Sequence, residues 1–254
     1  MTEYNFDGQR LIVGDCREVM KSLPSDSFRL IIADPPYRLA SWKGFGRDHD
    51  KSYGIKPPMY FEWLGECYRL LKQDGSLMVF ECPLNEYRLE RAMRKAGFKV
   101  QAHLIWVVSF RVSHPAKGQY NNHWEPIMWG TKVKSGWRFD TQPMAGKGWN
   151  FGGDVMVAPG QCFGAMTPGQ KPLTVIRRLI EVHSEIGDMV LDPFAGSCTT
   201  LRACLELNRK GVAIEINPET AEKSINYREL DRERITNWGT ETRLGDGKMK
   251  ETGD

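Results

Sequence analysis

Short aliphatic runs alternate with stretches of helical spacing along this chain, which restricts it to a few α/β architectures. Phe28 to Ala33 is near-continuously apolar, as strands buried on both faces of a parallel sheet are. Arg10 to Val13, Ser76 to Glu81, Val100 to Val108, Pro126 to Trp129, Met189 to Leu191 and Gly211 to Ile216 also read as strands. Between them, Asp15 to Ser22, Tyr60 to Leu71, Leu84 to Ala96, Pro172 to Glu185, Thr199 to Leu207 and Pro218 to Glu229 read as helices. Turn residues Gln73-Asp74-Gly75 close the Tyr60 helix, and Gly97 closes the Leu84 helix. Such alternation predicts an α/β domain with a largely parallel sheet.

Three stretches break the pattern. Arg38 to Pro57 is a long, aliphatic-poor loop with Arg38, Lys43, Arg47, Lys51 and Lys56 against Asp48 and Asp50. Ser109 to Pro168 is rich in Gly, Trp, Asn and Lys and has no sustained period, so most of it reads as an insertion. Asp231 to Asp254 has little to bury and reads as a charged tail. The 254 residues suffice for one large domain with an insertion. No apolar run reaches the ~18 residues of a membrane span. Met1 to Arg10 lacks the apolar core of a secretory signal. Six cysteines lie scattered at 16, 67, 82, 162, 198 and 204, with no C-x-x-C pair. That argues against zinc and a disulfide framework, and for a reducing, cytoplasmic setting. The 35 basic residues nearly cancel the 32 acidic ones, so only local charge is informative.

Two motifs carry the chemistry. Asp34-Pro35-Pro36-Tyr37 directly follows the strand ending at Ala33, where ligand crevices of open α/β sheets lie. Two successive prolines remove two N–H donors. What remains is an acceptor-rich edge, the Asp34 carboxylate and the proline carbonyls, followed by an aromatic ring. Such an edge suits an exocyclic NH2 on a planar base. A plain rigid turn is the alternative. Asp192-Pro193-Phe194-Ala195-Gly196-Ser197-Cys198-Thr199-Thr200 also sits at a strand end and opens a helix. It lacks the glycines and the lysine of phosphate-binding loops, so it fits a less anionic ligand. Glu215 ends the next strand, at the position from which an acid grips ribose hydroxyls.

Together these motifs resemble the catalytic and cofactor motifs of S-adenosylmethionine-dependent DNA amino-methyltransferases. The catalytic motif comes first, an order that resembles the circularly permuted beta class. Gly14-Asp15-Cys16 resembles that family's acid near the cofactor adenine. Gln170-Lys171-Pro172 resembles the segment lining the methionine part of the pocket, and Asn122-His123-Trp124-Glu125-Pro126 the segment before the last, antiparallel strand. The likeness spans roughly residues 10 to 230. One departure stands out. The family commonly has glycine where this chain has Cys198, whose side chain either narrows the pocket or points into the core.

The resemblance implies a Rossmann-like methyltransferase fold with a mixed, circularly permuted seven-stranded sheet over residues 1–230. Its strands lie near Ile12, Ile31, Val79, Ile105, Ile127, Val190 and Ile214. An inserted target-recognition region is expected at about 131–168, and a tail at 231–254. It implies methyl transfer to adenine N6 in double-stranded DNA, with cytosine N4 as the alternative. Asp34, Pro35, Pro36 and Tyr37 are the implied catalytic group. Asp15, Cys16, Asp34, Lys171, Pro172, Asp192, Phe194, Ala195, Gly196, Ser197, Thr199, Glu215 and Ile216 are the implied cofactor contacts. No metal is implied, and a homodimer is compatible with the family. Arg38, Lys43, Arg47, Lys132, Lys134, Arg138 and Lys147 lie among aromatic residues and are expected on DNA phosphates. A catalytically silent DNA-binding subunit is a rival, but it would lack the acids at 34, 192 and 215. An RNA or protein amide methyltransferase more often carries Asn before Pro-Pro-Tyr. His103, His114, His123 and His183 show no ligand spacing and are expected in core or surface roles.

Overall fold

The computed structural model describes residues 2–36, 61–108, 123–140, 154–158 and 169–226. One sheet runs through it, with nine strands in the order β1-β2-β9-β8-β3-β4-β6-β5-β7. In chain order these are β1 (Thr2–Phe6), β2 (Gln9–Val13), β3 (Phe28–Ala33), β4 (Leu71–Phe80), β5 (Lys99–Val108), β6 (Trp124–Thr131), β7 (Val155–Ala158), β8 (Met189–Asp192) and β9 (Lys210–Glu215). β2, β9, β8, β3 and β4 run parallel, and β6 is antiparallel to both of its neighbours. The helices are α1 (Cys16–Val19), α2 (Trp63–Leu70), α3 (Glu86–Lys95), α4 (Leu173–His183), α5 (Thr199–Glu206) and α6 (218–226). Among the described residues, no helix is long and apolar enough to cross a membrane.

Both faces of the central strands are buried, which is why their sequences lack polar alternation. Ile31, Leu77, Val79 and Met128 face α1, α2 and α3, packing with Val19, Trp63, Leu70, Leu89 and Met93. Leu30, Ile32, Met78, Phe80 and Ile127 point the other way, onto Val175, Ile176, Leu179 and Ile180 of α4. The period-two alternation therefore sorts apolar residues between two cores.

Nine strands replace the expected seven. All seven anticipated strands are present, and β1 and β7 are added at opposite edges. β1 pairs with β2 through Phe6↔Gln9, and the two residues between, Asp7 and Gly8, have φ of 47° and 77°. Asp-Gly is the residue pair that such a tight hairpin turn favours. β7 lies inside the segment read as irregular and adds to β5 in parallel, Trp106 opposite Met156. Gln73-Asp74-Gly75 does not precede β4 but lies within it. Phe28 pairs with Leu71 and Leu30 with Ser76, so β4 bulges over these residues. A side chain at Gly75 would come within 2.8 Å of the Arg29 carbonyl, so the bulge requires glycine.

Three basic residues expected on DNA emerge at the end of the sheet away from Asp34. β6 is antiparallel, so Ile127 pairs with Phe80 and Thr131 with Ser76. Residues after Thr131 therefore emerge at the amino-terminal end of β4, away from Asp34. There Lys132, only 5% exposed in its side chain, donates to Asp26 Oδ1 at 2.7 Å and lies 5.1 Å from the Tyr68 ring centroid. Arg138 pairs with Glu185 at 2.7 Å and Asp140 at 3.1 Å. Lys134 is exposed at the same end. Arg38, Lys43, Arg47 and Lys147, like Tyr37 and the tail, fall outside the described residues. His183 is a core residue, as expected. It packs against Trp129 and Phe139 and meets Ser76 Oγ at 3.1 Å. Burial pushes its pKa down to about 3.

Two stability measurements follow from these positions. Lys132→Ala loses a buried stem and a cation–π contact, so urea unfolding should show about 1–2 kcal/mol of destabilisation. Exposed Lys134→Ala should stay within about 0.5 kcal/mol; equal effects would contradict the placement of Lys132. For His183 the folded pKa lies below the unfolded one. Its contribution is complete above pH ~6.5 and falls as pH drops toward 3, by up to ~1.4 kcal/mol per unit. Asp192 acts in the opposite sense, so the comparison must be with His183→Gln, which keeps Asp192. Between pH 4 and 6 (roughly) the variant should lose stability less steeply with acid than the wild type. Parallel pH profiles would exclude a buried neutral imidazole.

Candidate active site

At the carboxyl ends of β3 and β8 the chain leaves the sheet in opposite directions. From β8 it passes through α5 to β9 on one side, and from β3 through α2 to β4 on the other. This reversal opens a crevice above the strand ends. Ile31 lies beside Leu191, Asp192 beside Ala213, and Val13 beside Glu215. Asp34, Asp192, Glu215 and Asp15, far apart in sequence, thus share one sheet edge.

The loop after β8 is held by carboxylates. Asp192 accepts the Phe194 amide at 3.0 Å. Burial pushes its pKa up to about 7, against the Thr200 hydroxyl and that amide, with the charges of Asp34 and Glu215 adding to the rise. Glu215 Oε2 accepts the Gly196 amide at 2.9 Å, and Oε1 the Asn217 amide at 2.8 Å. Burial raises the Glu215 pKa too, while those amides oppose the rise. A carboxylate has about four acceptor positions, so Glu215 can bind hydroxyls without releasing the loop.

Cys198 is the non-helical residue before α5, with φ 57°, in the region that favours glycine. Its side chain is 1% exposed and packs with Leu11, Ala195, Leu201 and Ala213. Of the two alternatives for Cys198, the core orientation holds, and the thiol does not narrow the crevice. Ser197 and Thr199 sit beside it with hydroxyl oxygens 3.1 Å apart. Phe194 is half-buried and meets Trp63 of α2 edge-on at 5.1 Å. Ile216, just past β9, leaves 39% of its surface exposed at this edge. An exposed apolar side chain and a half-buried ring at one sheet edge can flank a planar ligand.

Asp15 caps α1. Its Oδ1 accepts the Arg17 amide at 2.9 Å, and the Arg17 guanidinium holds its carboxyl below the usual range. Cys16 is buried and its thiol is pushed up to about 12, so it is a neutral wall rather than a nucleophile.

The other half of the site surrounds Asp34, which follows β3 with its side chain 30% exposed. Pro35 is buried behind it. Lys171, directly before the Pro172 cap of α4, reaches over to place Nζ 2.8 Å from Asp34 Oδ1 and 3.4 Å from Glu125 Oε2. The ammonium lies 5.3 Å from the centre of the Phe80 ring. Burial works against its charge, but Asp34 and Glu125 outweigh it and hold its pKa above the ordinary lysine value. Glu125 received no role from the sequence, although an acid inside a strand that faces apolar neighbours marks a buried charge in want of a partner. The edge as built offers acceptors at Asp34 and Glu215, an apolar flank, and one fixed cation. This set can hold a polar ligand and receive an N–H donor.

Comparison with known proteins places this geometry. A family model described as DNA methylase, of the N6/N4 methyltransferase type, matches residues 28–226. The DNA adenine methyltransferase YhdJ of Escherichia coli is 28% identical over 252 residues, covering 86% of this chain and 82% of the relative. A solved putative DNA modification methylase of Thermus thermophilus, complexed with S-adenosyl-L-methionine, is 26% identical at a TM-score of 0.63, covering 85% of this chain and 91% of that one. The cytosine-N4-specific PvuII DNA methyltransferase shares the fold at a TM-score of 0.72 and 20% identity, covering 87% of this chain and 86% of its own. With the family model spanning most of its length, this chain belongs to the N6/N4 DNA methylase family.

Proposed function

We propose that this protein transfers a methyl group from S-adenosylmethionine to the exocyclic N6 of adenine in a specific sequence of double-stranded DNA. The observation that carries the reading is the meeting of Asp34 with the Asp192-to-Thr199 loop and Glu215 across one strand reversal. The chain order, with the Asp34 strand before the Asp192 strand although the two are sheet neighbours, supports membership of the permuted beta class. Aspartate at the first catalytic position and the likeness to an adenine methyltransferase favour adenine over cytosine.

The residues present fit the cofactor. Glu215 would accept ribose hydroxyls, Phe194 and Ile216 would flank the adenine, and Asp15 and Cys16 would border its edge. The turn from Ala195 through Gly196 to Ser197 and Thr199 supplies the close backbone approach, with nothing nearer than 3.9 Å in the direction a Gly196 side chain would take. Lys171 and Pro172 would border the methionine end. When bound, S-adenosylmethionine supplies an electrophilic methyl group on its sulfonium.

The rest is the work of this chain. The target base must leave the duplex stack to reach a crevice at strand ends. Its amino lone pair is delocalised into the ring, so nitrogen is a weak nucleophile. Hydrogen bonds from that amino group to Asp34 and the Pro35 carbonyl draw its hydrogens out of the ring plane and localise the lone pair. Tyr37 is the ring proposed to stack on the base. Holding nitrogen in line with the methyl carbon supplies much of the acceleration. Arg38, Lys43, Arg47 and Lys147 remain the proposed phosphate contacts.

Methyl transfer from tritiated S-adenosylmethionine to duplex DNA, with base-resolved detection of the product, tests the reading. Asp34→Ala should lower turnover by roughly 100-fold or more while cofactor and DNA still bind. Wild-type turnover in that variant would remove Asp34 from the chemistry, and N4-methylcytosine as the product would replace adenine with cytosine. Calorimetry gives a separate check on the pocket. Glu215→Ala should weaken cofactor binding by about 1–3 kcal/mol, and unchanged affinity in a folded variant would exclude Glu215 from it.

A further inference from the structure

Three elements with no sequence proximity bring Asp34, Glu125 and Lys171 together: the end of β3, the start of β6 and the segment before α4. Both carboxylates face one buried ammonium. Lys171 is 8% exposed and the Glu125 side chain 12%. At 2.8 Å the ammonium takes a donor's place at Asp34. An exocyclic amino group is also an N–H donor, and under the function proposed above it needs the same carboxylate. Both donors cannot bond one oxygen along the same direction.

We propose that Lys171 is a placeholder for the target amino group, and that Glu125 is the positioning residue that takes Lys171 from Asp34 when the target enters. Nζ already stands 3.4 Å from Glu125 Oε2, so a shift of roughly half an ångström completes that bond. No backbone movement is needed, because the lysine stem can rotate. Without a second carboxylate, displaced Lys171 would be a buried charge lacking a partner, which is costly. Glu125 removes that cost, and the Phe80 ring at 5.3 Å favours the cation in either position. The hand-over also leaves Asp34 with its full acceptor strength only once a target donor is present. Among the described residues, Lys171 pairs with Asp34 directly, Glu125 shares that lysine, and Asp192 lies close enough to feel the Asp34 charge.

The inference rests on the proposed methyl transfer, and the test separates the two. In the intact protein with a duplex substrate, Glu125→Gln should lower kcat by about 10-fold or more, with cofactor and DNA Kd within about threefold of wild type. In a Lys171→Met background, adding Glu125→Gln should cause no further loss, since Glu125 acts through the lysine. If Glu125→Gln folds poorly, Glu125→Asp should lower kcat in the same direction, because it withdraws the charge by one methylene. Unchanged kcat in a folded Glu125 variant would overturn the proposal. So would an equal loss in the Lys171→Met background, which would mean that Glu125 acts directly. A wild-type protein that methylates DNA while its Glu125 variants behave normally refutes the hand-over alone. A wild-type protein that transfers no methyl group refutes the function and the hand-over together.

Discussion

Everything at the site depends on the parallel pairing of β3 with β8, which rests on Leu30 with Val190 and Ile31 with Leu191. These residues come from segments about 160 positions apart and are fully buried. Their ladder sets the ends of two strands side by side while the chain departs from them in opposite directions. The crevice is a product of that reversal, so Asp34 and the loop after β8 need no contact of their own to stay in register. Apolar packing on both faces holds the pairing. Ile31 and Leu191 lie in one core, and Leu30 and Val190 in the other.

On this rigid edge the chain places more negative charge than a fold alone would choose. Asp192, Glu215 and Glu125 are largely buried, and Asp34 stands among them. Burial and mutual repulsion lift Asp192 to about 7. Backbone amides from Phe194, Gly196 and Asn217 and the ammonium of Lys171 offset part of that cost. Carboxylates concentrated at strand ends destabilise the empty protein and suit it to ligands that bring donors or positive charge. At the other end of the sheet several charges are neutralised within the chain. Arg29 pairs with Asp74 and Asp188, Lys132 with Asp26, and Arg138 with Glu185.

Much of this was legible in the residues. The central strands declare themselves because strands buried on both faces are nearly continuously apolar, as in Phe28 to Ala33. The strand-end acids are legible because a polar residue that closes such a run must sit at the sheet edge. β1 escaped because its strand is half exposed, although Asp7-Gly8 marked its turn. β7 escaped because four residues are too few to establish a period. The basic residues misled for a different reason. Charge and aromatic density describe a segment, not the end of the sheet at which it emerges. Only the antiparallel pairing of β6, a non-local fact, sends Lys132 and Arg138 away from Asp34. Glu125 was hidden in the same way, since Lys171, with which it pairs, lies in a distant segment.

Cys198 shows how a local departure is absorbed. The loop needs a left-handed residue before α5, and glycine adopts that conformation without strain. Cysteine does so at a cost on the order of 1 kcal/mol. The same φ turns its side chain away from the crevice, among Leu11, Leu201 and Ala213, where a small apolar group gains burial that glycine lacks. The open side of the turn is therefore set by the backbone angles of Gly196 and Cys198, at 48° and 57°, and not by the absence of a side chain at 198. Within this loop, the identity of residue 198 governs packing beneath the site, while the direction of the Gly196 amide toward Glu215 governs the face presented to a ligand.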